Sequence, residues 1–170
     1  MSAASEFPAA NNVYVENFGD KGSLPLPPGK KLIVVTCMDS RIDVMSHLGL
    51  KEGDAHIIRN AGGVAIDAIR SIIISQRLLG TREIAIFHHT GCGMVTFKTP
   101  QLREIVASSA PEDKEVAKRL ENIDFHEFDD VEESTKDDVK FLKAHPLLLK
   151  ETTVTGWVYE VETGKIRQVA

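Results

Sequence analysis

The residues of this 170-residue chain best suited to carry chemistry are Cys37, Asp39, Arg41, His89 and Cys92. Two thiolates and an imidazole make a borderline-soft donor set, which suits tetrahedral zinc better than magnesium or calcium. His89-Thr90-Gly91-Cys92 supplies two of the donors from one short segment, and Gly91 and Gly93 allow its backbone to bend around a small ion. Cys37 would bring the third donor from a separate part of the chain. A fourth position would then stay open to water or a carboxylate, which distinguishes a catalytic zinc site from a structural one. Asp39 and Arg41 follow Cys37 closely. If the chain turns there, the guanidinium can pair with the carboxylate, keep it ionised and orient it.

The same residues admit plainer readings. Cys37 and Cys92 are the only cysteines, so a disulfide, inert core thiols or a redox pair are alternatives. A single bridge is unusual in a chain large enough for its own core, outside a secreted context. Asp39 and Arg41 taken alone fit a helix N-terminal carboxylate beside a surface arginine. A phosphatase-like cysteine nucleophile would need an arginine six positions after Cys37, where Asp43 stands. A metal-stabilised binding protein without catalysis is the non-enzymatic alternative. His88 precedes His89, but strand neighbours point to opposite sides, so His88 is read as packing or hydrogen-bonding within the sheet. His47, His56, His126 and His145 show no partner pattern.

The elements that must position these residues read as an α/β fold. Lys31 to Cys37 (KLIVVTC) has the β-branched apolar run of a strand buried on both faces of a parallel sheet. Arg41 to Leu48 places Ile42, Met45 and Leu48 at helical spacing before Gly49. Ala55 to Ile58 reads as a second strand, Asn60 to Gly63 as a turn, and Val64 to Leu79 as a helix stopped by Gly80. Glu83 to Phe87 is a third buried strand running into the histidines. Strand alternating with helix implies right-handed crossovers and a mainly parallel central sheet with flanking helices, whose sites lie beyond the carboxyl ends of the strands. Cys37 and His89 fall at two such ends. Residues 99 to 145 read as helical, and the twelve acidic residues between Glu112 and Asp138 as solvated helix faces. Thr152 to Val161 and Lys165 to Val169 read as a C-terminal hairpin or edge strand pair. Residues 1–30, with Asn11-Asn12 and the run Pro25-Leu26-Pro27-Pro28-Gly29, predict an extended N-terminal arm ahead of a single domain over 31–170.

Composition narrows the partners. A hydrophobic fraction of 42% with 26% charged residues fits a globular chain, and the net charge of −5 offers no basic face for nucleic acid. No apolar stretch is long enough to span a bilayer, and the N-terminus has no basic start followed by an apolar run, so a cytoplasmic location is expected.

The motifs CMDSR, RNAGG and HHTGCG, in this order between about Lys31 and Gly93, resemble those of the β-class carbonic anhydrases, in particular the compact branch that also includes carbonyl sulfide hydrolases. The resemblance implies one zinc ion held by Cys37, His89 and Cys92, and a catalytic dyad of Asp39 and Arg41. It implies that zinc-activated water attacks a small linear carbon electrophile: CO2 gives bicarbonate and a proton, or carbonyl sulfide gives hydrogen sulfide and CO2. It also implies a closed state with Asp39 as fourth ligand, and a homodimer or dimer of dimers. Gly63 and Val64 follow Gly62 where family members commonly carry other residues. Gly62 and Gly63 are therefore candidates for letting backbone approach the substrate.

Overall fold

The computed structural model describes residues 2–170. Strands β1 (Leu32–Cys37), β2 (Ala55–Asn60), β3 (Glu83–His89), β4 (Thr153–Tyr159) and β5 (Ile166–Gln168) form one sheet in the order β2-β1-β3-β4-β5. The first three pairings are parallel, and β5 closes the sheet antiparallel to β4. The C-terminal pair is thus a hairpin, but only β5 is its edge.

Period-two alternation sorts the strand residues into two cores. Ile33, Val35, Ile84 and Ile86 face helices α3 (Ala65–Leu79) and α6 (Val131–Ala144), packing with Ala68, Ile72, Val139 and Leu142. Val34, Ala85 and Phe87 face the other side, with Ile42, Cys92, Met94 and Tyr159, and Cys37 at the end of β1 joins this second core out of the alternation. Burial of each large aliphatic side chain stabilises by about 1.5–3 kcal/mol, so both faces hold the central strands firmly. The first cluster is aliphatic, with buried His88 on the same side of β3, whereas the second contains the two cysteines.

Three elements differ from the sequence expectation. The N-terminal arm is not extended throughout: residues Phe7–Glu16 form helix α1. Pro8 lies in its first turn, where a missing N–H costs nothing, and Asn11 and Asn12 carry only a small helix penalty. The helix buries no residue, and Tyr14 donates to Glu52 across 2.6 Å. Helix α2 spans Val44–Leu48, starting after Arg41, because Asp43 caps it by accepting from the Ser46 N–H. Between α4 (Thr99–Ser109), α5 (Lys114–Leu120) and α6, residues 123–128 are not helical, and His126 has φ +55°. That segment returns along the second core and brings Phe125 and Phe128 to it.

Candidate metal centre

β1 ends in Cys37 and β3 ends in His89, and because these strands are parallel neighbours both residues emerge at one edge of the sheet. Cys92 follows the tight turn at Gly91, whose φ of +62° suits glycine. The ligating atoms of Cys37, His89 and Cys92 lie within 4.8 Å of one another, and all three residues are buried. Both cysteines are free, so the chain shows converging thiols and not a bridge.

The hydrogen bonds decide which atom of His89 is available. Its Nδ1 lies 2.9 Å from the Thr90 carbonyl, which can only accept, so Nδ1 carries the proton. Nε2 therefore presents a lone pair, and it is buried without a hydrogen-bond partner. An orphaned imidazole nitrogen beside two sulfurs is the donor set a soft divalent metal requires, and the residues fit such an ion. The neighbouring Cys92 thiol pulls the Cys37 thiol downward against the effect of burial. The same contact with Cys37, together with burial, pushes Cys92 upward. A metal takes cysteine as thiolate, so binding a cation here would release protons.

Asp39 and Arg41 meet as a side-on bidentate pair. Arg41 Nε donates to Oδ1 at 2.9 Å, Nη2 donates to Oδ2 at 2.7 Å, and the Arg41 main-chain N–H adds a third bond to Oδ1 at 2.9 Å. These side-chain and backbone bonds hold the Asp39 carboxyl far below the usual carboxylate range. Arg41 is itself tied to the turn between His89 and Cys92 through the Gly91 carbonyl at 3.1 Å. Asp39 Oδ2 lies 3.8 Å from His89 Nε2, so the ionised carboxylate borders the donor triad.

Cys37, Cys92 and Asp39 line a cleft of about 400 Å³ whose other walls are Met38, Gly62, Met94, Phe97, Leu102 and Phe125, among others, and His89 lies behind the two cysteines without lining it. Gly62 thus reaches the cleft. Gly63 does not line it: with φ +74°, a Cβ there would stand 2.8 Å from the Cys37 nitrogen and the Thr36 carbonyl carbon. At Gly63 bare backbone packs against the end of β1. His88 points to the opposite face, 3.0 Å from Asp138 and stacked on Phe128. Phe97, Leu102 and Phe125 escaped sequence reasoning because they arrive from segments with no motif. Arg59 escaped it although it sits in RNAGG, since only the β1–β2 register shows what it faces.

A parallel α/β sheet carrying a Cys-His-Cys donor set at its carboxyl edge defines a class of metal-site proteins, and comparison with known proteins makes the class specific. The family described as carbonic anhydrase matches residues 32–166. The chain is 40% identical over 177 residues to β-carbonic anhydrase 1 of Mycobacterium tuberculosis, covering 99% of both. It belongs to the β-carbonic anhydrase family and is an enzyme of that type. The solved carbonic anhydrase from Glaciozyma antarctica superposes with a TM-score of 0.96 at 55% identity, over 100% of both chains. Carbon disulfide hydrolase of Saccharolobus solfataricus is 35% identical over 161 residues, 84% of this chain and 79% of that one.

Proposed function

We propose that the chain holds one zinc ion through Cys37 Sγ, His89 Nε2 and Cys92 Sγ and catalyses the reversible hydration of CO2 to bicarbonate and a proton. The observation that carries this reading is the convergence of three buried soft donors beside an ionised carboxylate, two of them, Cys37 and Cys92, lining an apolar cleft. Zinc, when bound, supplies Lewis acidity that makes a nucleophile of water near neutral pH. Asp39, kept ionised by Arg41, can only accept; it takes a hydrogen bond from the attacking water and so aims a lone pair at the carbon. Met38, Met94, Phe97, Leu102 and Phe125 favour a small, linear, uncharged substrate and disfavour the charged product. Asp39 is also the candidate fourth zinc ligand in a closed, inactive state, reached when its pairing with Arg41 breaks.

A second reading, hydrolysis of carbonyl sulfide to hydrogen sulfide and CO2 at the same site, is supported by the apolar cleft and by the carbon disulfide hydrolase relative. Metal analysis of the purified protein, with stopped-flow CO2 hydration and sulfide release measured in parallel, separates the two. About one zinc per chain with the larger kcat/KM for CO2 supports the first reading, and a negligible CO2 rate rejects it.

We also assign a homodimer, or a dimer of such dimers. Helix α1 buries nothing, Phe7, Val13 and Val15 are exposed, and β2 leaves one sheet edge unpaired. No helix among the described residues is long and apolar enough to cross a membrane. A reducing cytoplasm would keep both ligand thiols available.

A further inference from the structure

Arg59 projects from β2, where it pairs with Thr36 of β1, and its guanidinium crosses to the loop that carries the dyad. Nε donates to the Cys37 carbonyl at 3.0 Å, Nη1 to the Ile42 carbonyl at 3.1 Å, and Nη2 to the Asp39 carbonyl at 2.5 Å. One planar group thus binds three carbonyls of a six-residue stretch that begins at a metal-donor residue and contains both members of the dyad. All three bonds end on neutral oxygens and not on a carboxylate, so this is no ordinary surface ion pair. Asp39 is held twice, its carboxylate by Arg41 and its carbonyl by Arg59. The Asp39 carbonyl also accepts from the Ile42 N–H at 3.2 Å, which makes it the pivot of the loop.

We propose that Arg59 is a positioning residue that clamps residues 37–42 and thereby keeps Asp39 paired with Arg41 beside the metal donors instead of joining them as a ligand. The inference rests on the zinc reading above for its consequence in catalysis, but the clamp itself is a property of the chain. Arginine is required because only its rigid fork offers three nitrogens to three separated carbonyls; a lysine ammonium on a flexible stem cannot span from Cys37 to Ile42. Without the clamp the Asp39 carbonyl turns freely. Its carboxylate, already 3.8 Å from His89 Nε2, would then be free to leave Arg41 and compete for an ion held by the three donors. A displacement of about 1 Å in such a group costs on the order of 100-fold in rate.

The test compares Arg59→Gln and Arg59→Lys in the full chain, each alone and combined with Asp39→Asn. In the metal-free protein, amide hydrogen exchange at Arg41 and Ile42 is expected to speed up about tenfold or more in Arg59→Gln, with β1 amides unaffected. In the cobalt-substituted protein, the visible spectrum is expected to change with Arg59→Gln and to stay unchanged when Asp39→Asn is already present. With CO2, kcat is expected to fall about 10- to 100-fold with KM within about threefold, and Arg59→Lys to fall between. Unaltered exchange at Arg41 and Ile42, or an equal spectral change with and without Asp39, overturns the proposal. If Arg59→Gln does not fold, Arg59→Lys carries the same comparisons. A parent chain that binds no metal or leaves CO2 untouched rejects the functional reading, while the exchange experiment still decides the clamp.

Discussion

His88 and His89 are adjacent on β3 and equally inaccessible to solvent, yet they belong to different parts of the molecule. Each has one ring nitrogen within hydrogen-bonding distance of an oxygen and the other buried without a partner. What separates them is the company of the free nitrogen. His89 Nε2 faces two sulfurs and a carboxylate, whereas the His88 ring lies flat against Phe128 at 5.1 Å while its Nε2 meets Asp138. Asp138 also accepts the Ala65 N–H, satisfying an otherwise uncapped start of α3. An orphaned imidazole nitrogen is therefore no metal ligand by itself; converging donors make it one. The His89 face gathers the donors of the proposed metal site, and the His88 face joins β3, α3 and α6.

Substitutions on the two faces should separate accordingly. The largest effect is expected from His89→Ala, which removes one of three protein ligands: zinc content should fall well below one per chain and CO2 hydration should be lost, as read by metal analysis and stopped flow. Stoichiometric zinc in that variant would erase the contrast. His88→Leu keeps volume but removes the bond to Asp138. It should cost about 1.5–3 kcal/mol of stability, a melting shift of roughly 4–10 °C, with zinc content and activity per folded molecule unchanged. A loss of metal there would show that the faces are coupled.

The smallest effect concerns the segment that touches both faces through Phe125 and Phe128. Glu127 pins it by accepting from the Thr99 hydroxyl at 2.6 Å and the Thr99 N–H at 2.7 Å, and those bonds bring its carboxyl down to about 2. A carboxyl lowered on folding contributes stability above its unfolded value of about 4.3 and loses it as pH falls toward the folded value. Glu127→Gln should therefore melt a little below the parent at pH 7, and the gap should close between about pH 4.5 and pH 2. A gap that does not depend on pH would assign the effect to shape and not to charge.

The buried strands were legible because β1 and β3 lie on both sides of apolar layers, so their continuous Ile and Val runs have one physical reading. The helix in the N-terminal arm was not. Prolines and asparagines weigh against helix on average, but Pro8 happens to occupy a first-turn position where the penalty vanishes. The start of α2 was set by the Asp43 cap and by the hold of Arg59 on the loop before it, the second of which is a long-range contact.

Residue types and local spacing alone determined that soft metal donors and a neighbouring acid–base pair exist in this chain, because ligand chemistry belongs to the side chain and turns belong to nearby residues. Tertiary structure decided the rest. The meeting of Cys37 with Cys92, the choice of Nε2 on His89, the demand for glycine at 63 and the apolar wall from Phe97, Leu102 and Phe125 all depend on strand register and on segments far apart in the chain. Distances of that kind are set by how layers pack, and no local pattern encodes them.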